Sequence, residues 1–325
     1  MAKRKMLTAN NQNLNENNND GVRFDRGYDE FISNAKVRGL SPYTIRFYDN
    51  VSRIIYKFLD DKLYGYKTPI SNFSTEIVNQ FIIYCRELGE NDVTVNTNLR
   101  GLRTILYYFM RVGYLDEFKI SLNKQREPVI ETYSEEELRL LLCKPNLKKC
   151  SFIEYRNYVV INFLLSTGAR ASTVINLRIG DIDFTNELIT FRHTKNKKLQ
   201  IVPLSNTLKA VLLEYIRIRS GDSDSNLFPN AYGQKATVNV LSESIRDYTR
   251  KRGVSKTGLH RYRHTFAKYY LLNGGDVFRL KALLGHSTLE VTNRYVTLFA
   301  PDLKKDYESL NPLDKLNPKL QKIKL

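Results

Sequence analysis

The sequence predicts a mainly α-helical protein of two domains, the second carrying one small antiparallel β-sheet. Three observations predict this. Apolar residues recur at helical spacing through most of residues 24–117 and again after residue 134. The period breaks between them, in the polar, proline-containing stretch FKISLNKQREPVIETY (118–133), which has the composition of an interdomain linker. In the second half, a single pair of short β-branched runs, ELITFRHT and LQIVPL, interrupts the helices. A chain of 325 residues has ample material for two buried cores.

Residues 1–22 are expected to form a disordered tail, since positions 10–19 hold seven asparagines and show no apolar period. The first domain spans 24–117. In SPYTIRFYDNVSRIIYKFLDD (41–61), Ser41 is placed to cap free backbone N–H groups, and Pro42 suits the first helical position. Ile45, Tyr48, Ile55 and Phe58 fall on one face, with Arg46, Arg53 and Lys57 off it. TEIVNQFIIYCREL (75–88) repeats the design with Ile77, Phe81, Tyr84 and Leu88 inward. TVNTNLRGLRTILYYFMRVG (94–113) turns Leu99, Leu102, Leu106 and Phe109 inward, and Thr94, Thr97, Asn98, Arg100 and Arg103 outward. Short polar groups mixed with arginine suit phosphate contacts, although a face built only for solubility has the same composition.

The second domain is expected over 134–310, with 311–325 as a C-terminal tail. Ser134 and Glu137 form a capping box that opens it. Helices near 134–143 and 153–166 precede the strand pair, whose turn is the basic run KNKK. Helical patterns follow at 205–219, 238–252, 260–273, 276–284 and 288–298, the last launched by a second capping box of Ser287 and Glu290.

Charge narrows the choice of partner. The 51 Lys+Arg exceed 34 Asp+Glu, giving a formal net charge of +17 and a pI near 9.6. This balance calls for a polyanion, either nucleic acid or an acidic membrane surface. The apolar run YVVINFLL (158–165) is too short to span a bilayer and contains Asn162. The start MAKRKMLTANN is basic but lacks the apolar segment of a secretory signal. Cys85, Cys143 and Cys150 have no paired spacing and suit free thiols in a reducing compartment, not disulfides or zinc. A cytoplasmic protein that does not enter a membrane is expected.

The candidate site residues are cationic. In STGARASTVINLRIGDID (166–183), Gly168 permits a tight turn and Arg170 follows at the edge of a helix. Lys195, Lys197 and Lys198 crowd the hairpin tip, where exposure alone would also favour lysine. In LHRYRHTFA (259–267), His260 and Arg263 lie three apart on one helical face, as two donors converging on one phosphate would. His260 and His264 have the i, i+4 spacing of a metal pair. Arg261 stands where a zincin helix needs glutamate, however, and the arginines repel a cation, so His264 is expected to be structural. In GHSTLEVTNRYV (285–296), Gly285 ends one helix, His286 occupies the loop, and Tyr295 comes about two turns later, within reach of the same site.

No carboxylate belongs to this set, which excludes paired-carboxylate metal chemistry, and no G-x-x-x-x-G-K-[ST] loop supports nucleotide hydrolysis. Clustered cations instead suit a phosphodiester and the added charge of its pentacovalent transition state, with no cofactor and no metal. A phenol can be the nucleophile and a lysine the acid for the departing oxygen.

With TGAR, a hairpin lysine, HRYRHTFA and LGHSTLEVTNRY in this order, the chain resembles the tyrosine recombinase (phage integrase) family over residues 24–310. The resemblance implies that Arg170, His260 and Arg263 contact the scissile phosphate, with His260 also able to assist proton transfer, and that His286 hydrogen-bonds one of the phosphate oxygens. Tyr295 would attack to give a 3′-phosphotyrosyl intermediate, and Lys195 would protonate the 5′-hydroxyl leaving group. Lys195 is preferred over its neighbours because it stands eight residues before Pro203. The resemblance further implies a C-shaped clamp around double-stranded DNA and a homo-tetramer on two DNA sites, exchanging strands through a Holliday junction. An accessory directionality factor is compatible with it.

Two positions depart from the family pattern: Thr173 stands where R-x-S-E has its acid, and Tyr262 where H-x-L-R has leucine. The tail TLFAPDLKKDYESLNPLDKLNPKL is amphipathic and suits docking either on a neighbouring protomer or on its own domain. The asparagine-rich start and the ending NPLDKL resemble element-borne integrases, and no arm-binding domain fits before residue 24. Integration or excision of a mobile element is therefore the expected role. Xer-type dimer resolution, a non-catalytic DNA-binding protein and a type IB topoisomerase are the alternatives.

Overall fold

The computed structural model describes residues 21–63, 65–123, 130–194, 198–289, 292–293 and 295. The chain divides into two compact units, Met1–Glu127 and Pro128–Leu325.

The first unit is built from α1 (Phe24–Val37), α2 (Pro42–Lys62), α3 (Thr75–Glu87) and α4 (Asp92–Val112). Ser41 accepts a hydrogen bond from the Thr44 N–H and caps α2 with Pro42 at its first position. Ser74 and Asn91 cap α3 and α4 in the same way. The expected inward residues Ile55, Phe58, Phe81, Leu99, Leu102, Leu106 and Phe109 are all buried in one core with Phe24 and Ile70. At about 1.5–3 kcal/mol for each fully buried large apolar side chain, this core dominates the unit's stability.

Two expectations fail locally. Leu88 is exposed, because α3 ends at Glu87 and Leu88 is the capping residue beyond the buried stripe; Val78 and Cys85 fill that stripe instead. Asn98 is buried, and its amide donates to a Glu90 carboxylate oxygen at 2.7 Å. Arg100 stays exposed and Arg103 is half-buried.

The second unit holds α5 (Glu135–Leu141), α6 (Phe152–Thr167), α7 (Ala171–Val174), β1 (Ile182–Asp183), β2 (Leu188–Phe191), β3 (Gln200–Pro203), α8 (Asn206–Arg219), α9 (Val238–Lys251), α10 (Leu259–Leu272) and α11 (Val277–Leu284). The capping box of Ser134 and Glu137 forms, with both reciprocal hydrogen bonds present. Helix α6 buries residues on every side, including Tyr155, Val159, Val160, Ile161, Phe163 and Leu164, and it packs against α8, α9 and α10.

The expected strand pair gains a third member. The sheet has order β1-β2-β3, antiparallel throughout, with Ile189 opposite both Ile182 and Val202. Strand β1 is only two residues long, too short to leave a periodic signal. Around the expected linker, Ile120 joins the first core while Tyr133 is buried in the second. Lys195, Glu290, residues 1–20 and the tail 311–325 lie outside the described residues.

Candidate active site

Three pieces of chain meet around Arg263, which is 6% exposed on α10, and a fourth is tied to one of them. The first is the end of α6. Gly168 closes that helix in the left-handed conformation, at φ 61°, and its carbonyl accepts from Arg263 Nη1 at 2.8 Å. Arg170 follows as the residue capping α7.

The second piece is the end of α11. Gly285, also left-handed at φ 61°, lets the Gly285 and His286 N–H groups turn back to the Ala282 and Lys281 carbonyls, both at 3.1 Å. This turn fixes His286, whose Nε2 lies 2.8 Å from Arg263 Nη2. The same Nη2 donates to the Leu284 carbonyl at 2.8 Å. A guanidinium only donates, so His286 Nε2 is the acceptor and its Nδ1–H donates to Thr292 Oγ1, 2.8 Å away. Both nitrogens of His286 are thus engaged within the protein, and the phosphate contact implied by the resemblance is not free to form while it holds Arg263.

The third piece carries Tyr295, only 4% exposed. It packs with Ala267, Leu271, Leu280 and Leu284 and stacks on the His286 ring at 6.3 Å between centroids. Its hydroxyl lies 2.8 Å from His264 Nδ1. His264, expected to be structural, therefore touches the tyrosine oxygen directly. One helical turn before it, His260 is exposed and lines an open cleft of about 360 Å³ with Glu131, Arg261 and His264.

The fourth piece is the hairpin. Thr194 and Lys198 bond each other across its tip. The Gln200 side chain donates to the Ala282 and Leu283 carbonyls at 3.1 and 2.6 Å, tying the base of the hairpin to the end of α11. Asp181, buried at the edge of β1, pairs with Arg192 at 2.6 Å and steadies the other strand.

The electrostatics are those of an anion site. Burial, and after it the neighbouring Arg170, bring the pKa of Arg263 down to about 10, while Tyr295 favours its charged form. Burial also lowers the pKa of Arg170, again opposed by Tyr295. Two guanidiniums that disfavour each other's charge stand beside one phenol, and among the described residues no carboxylate pairs with either. Burial, then the surrounding cations, hold His264 and His286 at about 4, so both imidazoles are neutral near pH 7. Among the described residues, no cluster of three His, Cys, Asp or Glu side chains could hold a metal ion.

Of the six residues singled out from sequence, Arg170, Arg263, His286 and Tyr295 converge. His260 lies beside them on α10, and Lys195 is outside the described residues. Sequence reasoning missed His264, Thr292 and Gln200. The two departures from the family pattern sit in packed surroundings. Tyr262 is fully buried, its ring 4.6 Å from that of Tyr133 and its hydroxyl 3.2 Å from Thr249 Oγ1, while Thr173 is a buried residue of α7 itself.

Comparison with known proteins identifies the family. The sequence model of the phage integrase family matches residues 132–300, more than half of the chain. The chain belongs to the phage integrase family. Members of this family are site-specific enzymes that break and rejoin DNA. The tyrosine recombinase XerA of Pyrococcus furiosus is 28% identical over 292 residues, covering 89% of this chain and 95% of that protein. The tyrosine recombinase XerD of Oceanobacillus iheyensis is 26% identical over 298 residues, covering 83% of this chain and 98% of its own.

Among solved structures, the Tn1549 transposon integrase in complex with a circular intermediate DNA superposes with a TM-score of 0.68 at 20% identity, over 84% of this phage integrase family chain and 94% of that one. A lambda integrase dimer bound to a COC′ core site gives 0.66 at 14% identity, over 84% and 95%. At these identities the likeness is one of fold. No helix among the described residues is long and apolar enough to cross a membrane.

Proposed function

We propose that this chain performs site-specific DNA recombination with Tyr295 as the nucleophile. The observation that carries the reading is the pair Arg170 and Arg263, two mutually repelling guanidiniums beside a buried phenol, with no carboxylate among the described residues paired to either. A phosphodiester supplies the missing negative charge, and its transition state supplies more.

In the proposed reaction the Tyr295 oxygen attacks the scissile phosphorus, forming the phosphotyrosyl bond as the bond to the 5′ oxygen breaks. Lys195 gives that oxygen its proton, and Arg170, Arg263 and His260 bind the non-bridging oxygens. His286 acts through Arg263, which it holds by Nε2. Attack by the 5′-hydroxyl of a second duplex reverses the step and exchanges the strands. The wider assembly proposed is a C-shaped clamp on double-stranded DNA, four protomers on two sites and a Holliday-junction intermediate. The lambda integrase tetramer bound to a Holliday junction is similar in fold to this chain, with a TM-score of 0.67.

Integration or excision of a mobile element is the role we assign. Xer-type dimer resolution is the second reading, favoured by relatives named XerA and XerD that align over nearly their whole length. The test is covalent capture in cells: wild-type and Tyr295→Phe proteins are expressed, the lysate denatured, and DNA still attached to protein sequenced. Adducts at discrete sites with wild type alone support the reading. Sites at a mobile-element boundary support the assigned role, and a chromosomal or plasmid resolution site supports the second. Equal adducts from both proteins exclude Tyr295.

A further inference from the structure

Groups of opposite character stand beside the hydroxyl of Tyr295. The Arg263 guanidinium, whose charged form the tyrosine favours, can only donate and takes up no phenol hydrogen. His264 Nδ1 lies 2.8 Å from the tyrosine oxygen and can accept that hydrogen. With the phenol donating, Nδ1 carries the lone pair and Nε2 the hydrogen. The ring lies 5.6 Å from that of Tyr295, centroid to centroid. His286, the other imidazole against this tyrosine, has both nitrogens committed, Nε2 to Arg263 and Nδ1 to Thr292. His264 thus presents a ring nitrogen to the reacting oxygen at hydrogen-bond distance.

We propose that His264 is a catalytic residue that receives the phenol proton as Tyr295 attacks phosphorus, an inference resting on the reading of Tyr295 as nucleophile. The electron pair of the O–H bond becomes the new P–O bond, the proton moves to Nδ1, and the P–O5′ pair leaves with the 5′ oxygen, which is protonated separately. On rejoining, the imidazolium returns its proton to the departing phenolate, so one group serves both directions.

The surroundings of His264 are suited to this task. His260, Arg261 and Arg263 on α10 oppose its protonation, His286 and Tyr295 face it from the segment after α11, and Glu131 pairs with Arg261 at the cleft. These keep the lone pair available in the resting protein. A phosphodiester bound among the same cations offsets their charge, which raises the basicity of Nδ1 when DNA is in place.

The test separates proton transfer from placement. Asparagine at 264 sets an amide oxygen near the position of Nδ1 and still accepts the phenol hydrogen bond, but it cannot take the proton. Full-length wild type, His264→Asn and His264→Ala are compared on a nicked duplex bearing a site recovered by covalent capture, with single-turnover formation of the protein–DNA adduct as readout. Each is also made with a ring-fluorinated, more acidic tyrosine at 295, and thermal melting is followed alongside. Expected is a loss of about 100-fold in both variants at neutral pH. The loss shrinks as pH rises and is largely restored by the fluorinated tyrosine, with melting unchanged for His264→Asn. Cleavage by His264→Asn at the wild-type rate would show that placement suffices and overturns the proposal. So would equal losses that neither pH nor the acidic tyrosine relieves, the mark of a structural role. A wild-type protein that forms no adduct at Tyr295 overturns the nucleophile reading and this inference with it.

Discussion

Replacing Gly168 with alanine perturbs the joint on which Arg263 rests. The residue has φ 61°, and an added Cβ would meet Phe266 Cδ1 at 2.5 Å and Leu284 Cδ2 at 2.8 Å. The left-handed conformation costs an alanine about 1–2 kcal/mol. Forcing a methyl group against two packed side chains adds about 1–3 kcal/mol. The expected destabilisation of the second unit is therefore about 2–5 kcal/mol, a large part of a typical domain's margin. Gly253 is the control, since it has φ 75° and nothing within 4 Å, so its alanine variant carries the backbone cost alone.

Native-state hydrogen exchange of the slowest α6 amides reads the stability of this unit without assuming that both units unfold together. Gly168→Ala should lower their opening free energy by about 2–5 kcal/mol, and Gly253→Ala by about 1–2 kcal/mol. Because the Gly168 carbonyl anchors Arg263, DNA cleavage at a temperature where both variants stay folded should fall at least about tenfold for Gly168→Ala alone. Equal losses of stability for the two variants, or unchanged cleavage by Gly168→Ala, would refute the packing argument.

Two further outcomes follow from the same geometry. His264 and His286 titrate at about 4 in the folded chain and near 6.5 when unfolded, so between these values the unfolded chain binds protons that the folded site refuses. Stability from these groups is complete above about pH 6.5 and falls as pH drops toward 4, by about 1–2 kcal/mol for each after allowance for solvent screening; hydrogen exchange of the α10 amides at successive pH values measures it. Gln200→Ala removes both bonds that tie the hairpin to α11, at a cost of about 1–2 kcal/mol. It should slow single-turnover cleavage about tenfold with little effect on DNA affinity in a gel-shift titration, because Lys195, the proposed acid, falls in sequence between β2 and β3.

What the sequence made legible were features with local causes. The start of α2 follows from Ser41 and Pro42, the start of α5 from Ser134 and Glu137, and the buried stripe of α4 from leucines at helical spacing. Leu88 continued its stripe on paper, but helix termination is decided by which residue no longer has a turn beneath it. Asn98 looked outward because polarity alone cannot reveal that Glu90 waits to accept its amide. Arg170, Arg263, His286 and Tyr295 stood out because their residue types made chemical sense together.

His264 did not stand out, since its partner is 31 residues away and its value depends on the direction of one phenol hydrogen. Its i, i+4 spacing from His260 raised only a metal pair, which the neighbouring arginines argued against. Gln200 reaches carbonyls more than 80 residues away, and no periodicity encodes such a bond.

The central claim is that Tyr295 forms the bond to DNA. Wild-type protein is reacted with a nicked duplex carrying a captured site, digested with protease and nuclease, and the nucleotide-bearing peptide sequenced by mass spectrometry. The account predicts a 3′-phosphonucleotide on Tyr295 and none in protein carrying Tyr295→Phe. An adduct on another of the 21 tyrosines, or on a serine, would contradict it.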